Sequence, residues 1–207
     1  RGSSQHRARP SVMALGDAKS SERVFATLVS SNYFDVVGTR LAAGRFFVAE
    51  EDRTPGTHPV VVLSHQFWQR RFNGDPNLVG RTIRLNNLPY TVVGGAESGF
   101  SGTTFLGTDV WVPLALDAHV RASDQSLLAQ HGHVWMTSIG RLKPGVTVEQ
   151  ARQELDAIMQ TYMRERNDDR ADRWAIAVAP SRRVPSMVIA PVVGFVAMLG
   201  TLTGLVL

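Results

Sequence analysis

The sequence predicts an α+β chain of two lobes, with the start of a transmembrane helix at its C-terminal end. Three observations carry that expectation. Residues 59–95 (PVVVLSHQFWQRRFNGDPNLVGRTIRLNNLPYTVVGG) are punctuated as strand, helix, turn and hairpin; residues 134–163 repeat a strand-then-helix order; and residues 187–207 form an uncharged apolar run. The strand-then-helix units at 23–37 and 134–163 bracket the middle of the chain. The expected architecture is therefore a split β-α-β outer lobe with a small mixed α/β lobe inserted into it.

Residues 1–21 are small, polar and basic without periodicity, and read as a disordered end. The first part of the outer lobe is 22–58. In its strand, Phe25, Thr27 and Val29 alternate with Val24, Ala26 and Leu28, and Ser31 or Asn32 caps a short helix that Gly38 ends. Leu41 to Val48 leads the chain away, and the charged loop from Glu50 to Pro59 marks a lobe junction.

The inserted lobe, 59–114, opens on the β-branched run Val60 to Leu63. Ser64 stands at the N-cap of an amphipathic helix in which Trp68 and Phe72 lie one turn apart, and Asn73-Gly74 closes it. Asp75-Pro76 opens a further turn of helix that Gly80 ends. Arg81 to Leu85 and Tyr90 to Val93 read as a hairpin around Asn86-Asn87. A Gly/Ser/Thr-rich loop with Phe100 and Phe105 follows, then a short strand, Asp109 to Leu114, whose Pro113 favours its edge or end.

Residues 115–132 are polar and poorly patterned and read as a linker to the second part of the outer lobe, 133–180. There Val134 to Leu142 alternates as a strand and Pro144-Gly145 turns the chain. Thr147 and Gln150 form a capping box for a helix with Val148, Ala151, Leu155, Ile158, Met159 and Tyr162 on one stripe. Trp174 to Ala179 alternates again as a strand, expected to share a sheet with 23–29 and 134–142 beneath that helix. The connector PSRRVPS (180–186) holds Pro180 and Pro185. The apolar run 187–207 is long enough, at about 1.5 Å per residue, to cross a hydrocarbon core of about 30 Å.

Taken together, S-H-x-F-W-x-R-R-F (64–72), G-D-P-x-x-V-G-R-T-I-x-L-N (74–86) and P-Y-T-V-V-G (89–94) resemble the periplasmic core domain of MacB-like ABC transporter permeases. The nearest flavour is the duplicated orphan permease, FtsX-like, branch. V-S-S-N-Y-F-D-V-V-G (29–38), G-R-F-F (44–47) and G-R-L-K-P-G-V-T (140–147) fit it in the family's order, so the resemblance runs from about Val24 to the C-terminus. It implies an extracytoplasmic core whose outer lobe is porter-like, on the periplasmic side of a bacterial inner membrane. It also implies a partner cytoplasmic ABC ATPase subunit or domain, and admits a second permease copy or a periplasmic adaptor as further partners. ATP hydrolysis in that partner would drive export or conformational work, and the two-proline connector Pro180 and Pro185 would carry motion between membrane and core. The alternative is a membrane-tethered binding or scaffold domain without transport of its own.

Composition narrows the remaining classes. There are no cysteines, hence no disulfide and no thiolate metal site. The net charge of +4 comes almost wholly from arginines scattered among acids, Lys19 and Lys143 being the only lysines, which is unlike a nucleic-acid face. Arg182 and Arg183 precede the apolar run on the side the positive-inside rule disfavours for an extracytoplasmic core. That run reaches the last residue and no apolar segment precedes Ser11. The chain is thus expected to be a piece lacking an upstream anchor and later membrane helices, and no cleavable signal is visible.

No catalytic, cofactor or metal site is expected. Gly94 to Gly107 matches no phosphate loop, and Gly99-Phe100-Ser101-Gly102 falls short of a nucleophile elbow, which disfavours a hydrolase. His131 and His133 lack a third ligand. Phe100, Phe105 and Trp111 form the one apolar set that could line a partner or substrate surface, core packing being the competing reading.

Overall fold

The alternation read along 23–29 extends over Ser20–Val29 (β3), and the rest of the sheet is arranged about this strand. The computed structural model describes residues 4–8, 11–17, 20–104, 107–130, 136–165 and 176–178. Before β3 come Ser4–Ala8 (β1) and Ser11–Asp17 (β2). After it come helix Tyr33–Val37 (α1), Leu41–Gly44 (β4), Val60–Leu63 (β5), helix His65–Phe72 (α2), Thr82–Leu85 (β6) and Leu88–Ala96 (β7). Val110–Pro113 (β8), helix Asp117–Val120 (α3), Met136–Gly140 (β9) and helix Val148–Glu165 (α4) complete the order.

The described strands form one sheet, and six of them close on themselves. β3 is antiparallel to β2 on one edge and parallel to β8 on the other. From β8 the ladder runs through β5, β7 and β6 and returns to β2. The period of two sends alternate side chains inward. Met13 and Leu15 from β2 meet Val24, Ala26 and Leu28 from β3, Val61 and Leu63 from β5, Leu85 from β6, Tyr90 and Val92 from β7, and Val110 and Val112 from β8. Phe67 and Trp68 of α2 and Leu116 and Val120 join this interior. Each fully buried aliphatic side chain contributes about 1.5–3 kcal/mol.

The closing seam is narrow. β2 and β6 share the single rung Leu15↔Leu85. It is reinforced from the β6–β7 turn by Asn86, which stands at φ 48 and is followed by Asn87 at φ 64. Asn86 N–H donates to Ala14 O at 2.8 Å, and its Oδ1 accepts from Ala14 N–H at 2.9 Å. Its Nδ2 donates to His119 O and Val120 O at 3.3 and 3.2 Å.

Local expectations across 59–95 hold. Ser64 Oγ accepts from Phe67 N–H at 3.3 Å, Asn73 turns left-handed at φ 51, and Asp75 Oδ1 accepts from Asn77 N–H at 2.9 Å. The Thr147–Gln150 capping box is present: Thr147 Oγ1 accepts from Gln150 N–H at 3.1 Å, and Gln150 Oε1 accepts from Thr147 N–H at 2.9 Å.

Several expectations are corrected. The disordered end expected over 1–21 holds β1 and β2 instead, because Val12 to Leu15 alternates and buries Met13 and Leu15 against β3. The linker expected over 115–132 begins as core. Leu116 and Val120, one turn apart, enter the barrel, and Asp117 is buried because Ser126 Oγ (2.6 Å), Leu127 N–H (2.7 Å) and Arg121 (3.3 Å) donate to its carboxylate. The sheet runs on through the junction expected near Pro59, since β8 of the inserted segment is hydrogen-bonded to β3 of the outer one. β8 is accordingly an inner strand, with Pro113 at its end. The α4 stripe does not cover a sheet face: only Met163 of that helix is buried. Residues 176–178 lie in no strand; Ile176 N–H donates to Asp156 Oδ1 of α4 at 2.8 Å. The remainder of the strand expected over 174–179, and the apolar run 187–207, lie outside the described residues. Among those described, no helix is long and apolar enough to cross a membrane.

Candidate functional site

The outward-facing residues of β3, β5, β7 and β8 make a second apolar cluster, and α1 is seated on it. Val29, Val62, Val93 and Trp111 form its floor; Tyr33 and Phe34 of α1 with Phe47 close it. Phe34 is the centre of the aromatic packing. It stacks on Phe46 at 4.0 Å between centroids and meets Tyr33 and Trp111 edge-on at 5.1 and 5.4 Å. Such pairs add about 0.5–1.5 kcal/mol beyond the area they bury. Phe100, half-buried in the loop after β7, stacks on Trp111 at 5.4 Å. Tyr33 Oη lies 3.1 Å from Thr103 Oγ1 in the same loop.

Helix α1 is clasped at both ends by residues remote in sequence. At its entry, Asp52 Oδ2 accepts from Ser31 N–H and Oδ1 from Ala115 N–H, both at 3.1 Å, joining the α1 entry to the barrel end. At its exit, Arg141 Nη2 donates to Val36 O at 2.8 Å, filling one of the carbonyls a helix end leaves open. The contact depends on Gly38. That residue is left-handed at φ +75, and a Cβ there would lie 2.9 Å from Arg141 Nη2. Beyond the exit, Glu97 accepts from Arg40 N–H at 2.9 Å and Thr39 Oγ1 at 3.0 Å, which hold its carboxyl below the usual carboxylate range.

The Phe46–Phe47 segment is pinned by an ion pair. Glu51 is 4% exposed and takes a two-pronged contact from Arg45, at 3.0 and 2.6 Å, with Val48 N–H donating to Glu51 Oε2 at 3.0 Å. Burial pushes the Glu51 carboxyl up, but the Arg45 and Val48 hydrogen bonds outweigh it and hold the group below its ordinary value. Inside the barrel, burial pushes the Tyr90 phenol well above its ordinary range.

The arrangement is a packed seat for α1. Among the described residues, no group of three His, Asp or Glu side chains is placed to hold a metal. The reading of Phe100, Phe105 and Trp111 as a shared surface is corrected at Trp111. Its side chain is completely buried because Phe34 and Phe100 cover it, so it serves core packing. Phe105, His131, His133, Pro180 and Pro185 lie outside the described residues. Sequence reasoning missed Arg141 as a clasp. Its signal was Gly140-Arg141-Leu142-Lys143-Pro144-Gly145, an arginine between a strand and a tight turn, which names a donor without naming its acceptor.

Residues 4–158 match the family described as the MacB-like periplasmic core domain. The chain is 32% identical over 142 residues to the macrolide export ATP-binding/permease protein MacB of Salmonella paratyphi A, covering 66% of this chain and 20% of that protein. It is 30% identical over 135 residues to the protein of the same name from Escherichia coli K12, covering 63% and 19%. The chain thus spans about a fifth of the length of these curated relatives. At the level of fold, it resembles the periplasmic region of MacB from Actinobacillus actinomycetemcomitans, with a TM-score of 0.56 at 18% identity, over 78% of this chain and 67% of the other. The extracellular domain of the ABC-type transporter YknZ from Gram-positive bacteria gives 0.54 at 13% identity, over 82% and 79%. With three quarters of its length matched to one family, and with relatives and solved domains of the same kind, the chain belongs to the MacB-like periplasmic core domains of ABC transporter permeases.

Proposed function

We propose that the chain is the non-catalytic core of an ABC-type exporter permease, on the periplasmic side of a bacterial inner membrane, moved by ATP hydrolysis in a cytoplasmic ATPase subunit or domain. The observation that carries this reading is the family match along residues 4–158, supported by relatives whose names join an ATP-binding part to a permease and to export. A second permease copy or a periplasmic adaptor completes the assembly in this reading. The closed barrel and the clasped α1 support a rigid-body role: a body held by long-range hydrogen bonds passes a push on, where a loose one absorbs it.

The route for that push is the connector with Pro180 and Pro185, each of which fixes a backbone dihedral. In the full-length protein, Pro180→Gly with Pro185→Gly should lower export while ATP hydrolysis, core melting temperature and surface expression persist. Wild-type export by the double variant at equal expression would reject the connector. ATP hydrolysis that ignores every change in the core would reject the coupled reading itself.

A further inference from the structure

After α3 the chain folds back on itself around one carboxylate. The turn begins as a helix end: Ala122 N–H donates to His119 O at 3.3 Å and Ser123 N–H to Ala118 O at 2.9 Å, the paired bonds of a Schellman close. The left-handed position of that motif favours glycine, and here it is Ala122 at φ 49. The segment then returns to the first residue of α3. Ser126 Oγ donates to Asp117 Oδ1 at 2.6 Å and Leu127 N–H to Oδ2 at 2.7 Å, with Arg121 Nη2 donating to the same Oδ2 at 3.3 Å. The Asp117 side chain is fully buried.

Two costs are built into this closed form. An L-residue at a left-handed φ brings its Cβ close to a carbonyl oxygen, and Arg121 Nε is buried without a hydrogen-bond partner. Helix α3 itself is tied to the barrel independently of the fold-back. Leu116 and Val120 enter the interior, and Asn86 holds His119 O and Val120 O. Residues 121–128 add no side chain to either apolar cluster, and Ala122, Asp124, Gln125 and Leu128 are exposed. Little apolar burial therefore opposes their release, and release recovers both costs.

We propose that residues 121–128 are a latch, which swings off α3 as one unit while the barrel stays closed and lets out chain between α3 and β9. The closed form ties Leu127 back to Asp117, ten positions earlier. The open form frees up to roughly 26 Å of chain, eight residues at about 3.3 Å each. Asp117 is the catch and Ala122 the strained hinge. The latch holds whether or not the chain works in an exporter.

The test is native-state hydrogen exchange on the full 207-residue chain in a non-ionic detergent. Ser123 and Leu127 report the two halves of the latch. Val92 and Asp109, whose N–H groups bond Arg81 O and Phe25 O at 2.9 Å, report the barrel. Ser123 and Leu127 should share one opening constant, about a hundredfold larger than that of the barrel amides. Ala122→Gly should lower it about fivefold at both latch amides by relieving the hinge. Ser126→Ala, which removes one donor to Asp117, should raise it about tenfold at both and leave Val92 and Asp109 unchanged. Opening constants that differ tenfold between Ser123 and Leu127 would overturn the single unit. Protection equal to that of the barrel would overturn separate opening, and exchange that Ala122→Gly leaves unchanged or speeds up would overturn the strained hinge.

Discussion

Arg141 Nη2 reaches Val36 O at 2.8 Å across 105 residues of sequence, joining the turn after β9 to the last turn of α1. The clasp is exposed on the arginine side, so its loss should act locally. Arg141→Gln should speed amide exchange at Val37 and Gly38 and leave the barrel strands protected, with a loss of global stability of about 1 kcal/mol. Unchanged exchange at the α1 exit would show that the contact contributes nothing in solution.

The carboxyl of Glu51 gives a pH signature. Glu51→Gln should lower stability at neutral pH by about 2 kcal/mol, since it leaves Arg45 without its ion pair. The folded-state value is depressed, so the stabilisation is present above the ordinary carboxylate value of about 4.3 and is lost as the pH falls through the folded one. Denaturant melts of both proteins should therefore converge at acid pH. A gap that stays constant on acidification would place the effect in packing rather than charge.

Asn86 should be the most sensitive polar residue of the barrel. Asn86→Ala removes the Oδ1 acceptor for Ala14 and the Nδ2 donor to His119 and Val120, and puts a β-carbon residue without a compensating amide at φ 48. A loss of about 2–3 kcal/mol is expected. Asn86→Gly relieves the backbone term alone and should fall between wild type and Ala. Equal losses for Ala and Gly in urea titrations would assign the effect to the side-chain bonds.

At Gly94 the backbone of the β4–Arg45 segment comes too close for any side chain. A Cβ there would lie 2.3 Å from Arg45 O and 3.1 Å from Ala43 O. Gly94→Ala should strip β4 from β7 and disturb the Arg45–Glu51 pair, seen as lost protection at Arg45 N–H, which bonds Val93 O at 2.9 Å. Retained protection there would mean that β4 relocates at little cost.

The turn chemistry of 59–95 was legible because it is local: Ser64, Asn73 and Asp75 each act on neighbours within a few residues, whereas the partners of Asn86 at Ala14, His119 and Val120 are remote and were not read. Ring closure was not, since nothing in Val12 to Leu15 says that its two edges meet β3 and β6. The polar residues around Val12–Leu15 hid the alternation. Asp117 misled in the other direction, as a carboxylate in a polar stretch reads as solvated until its donors at 126 and 127 are in place. The aromatic set was half read. Trp111 and Phe100 do meet, but their period within a short strand and a glycine-rich loop could not tell a floor from a surface.

The parallel pairing of β3 with β8 sets an order of events during synthesis. Thr27 Oγ1 meets Thr108 Oγ1 at 2.8 Å, 81 positions later in the chain. A ribosome therefore releases the β2–β3 hairpin long before its second neighbour exists, and the nascent hairpin carries an open apolar edge of the kind chaperones bind. Once Pro113 has emerged, every strand of the ring is available, so the barrel can close while α4 is still being made. Among the described strands, β1 must then wait for β9, its partner more than a hundred residues later, before its ladder is full.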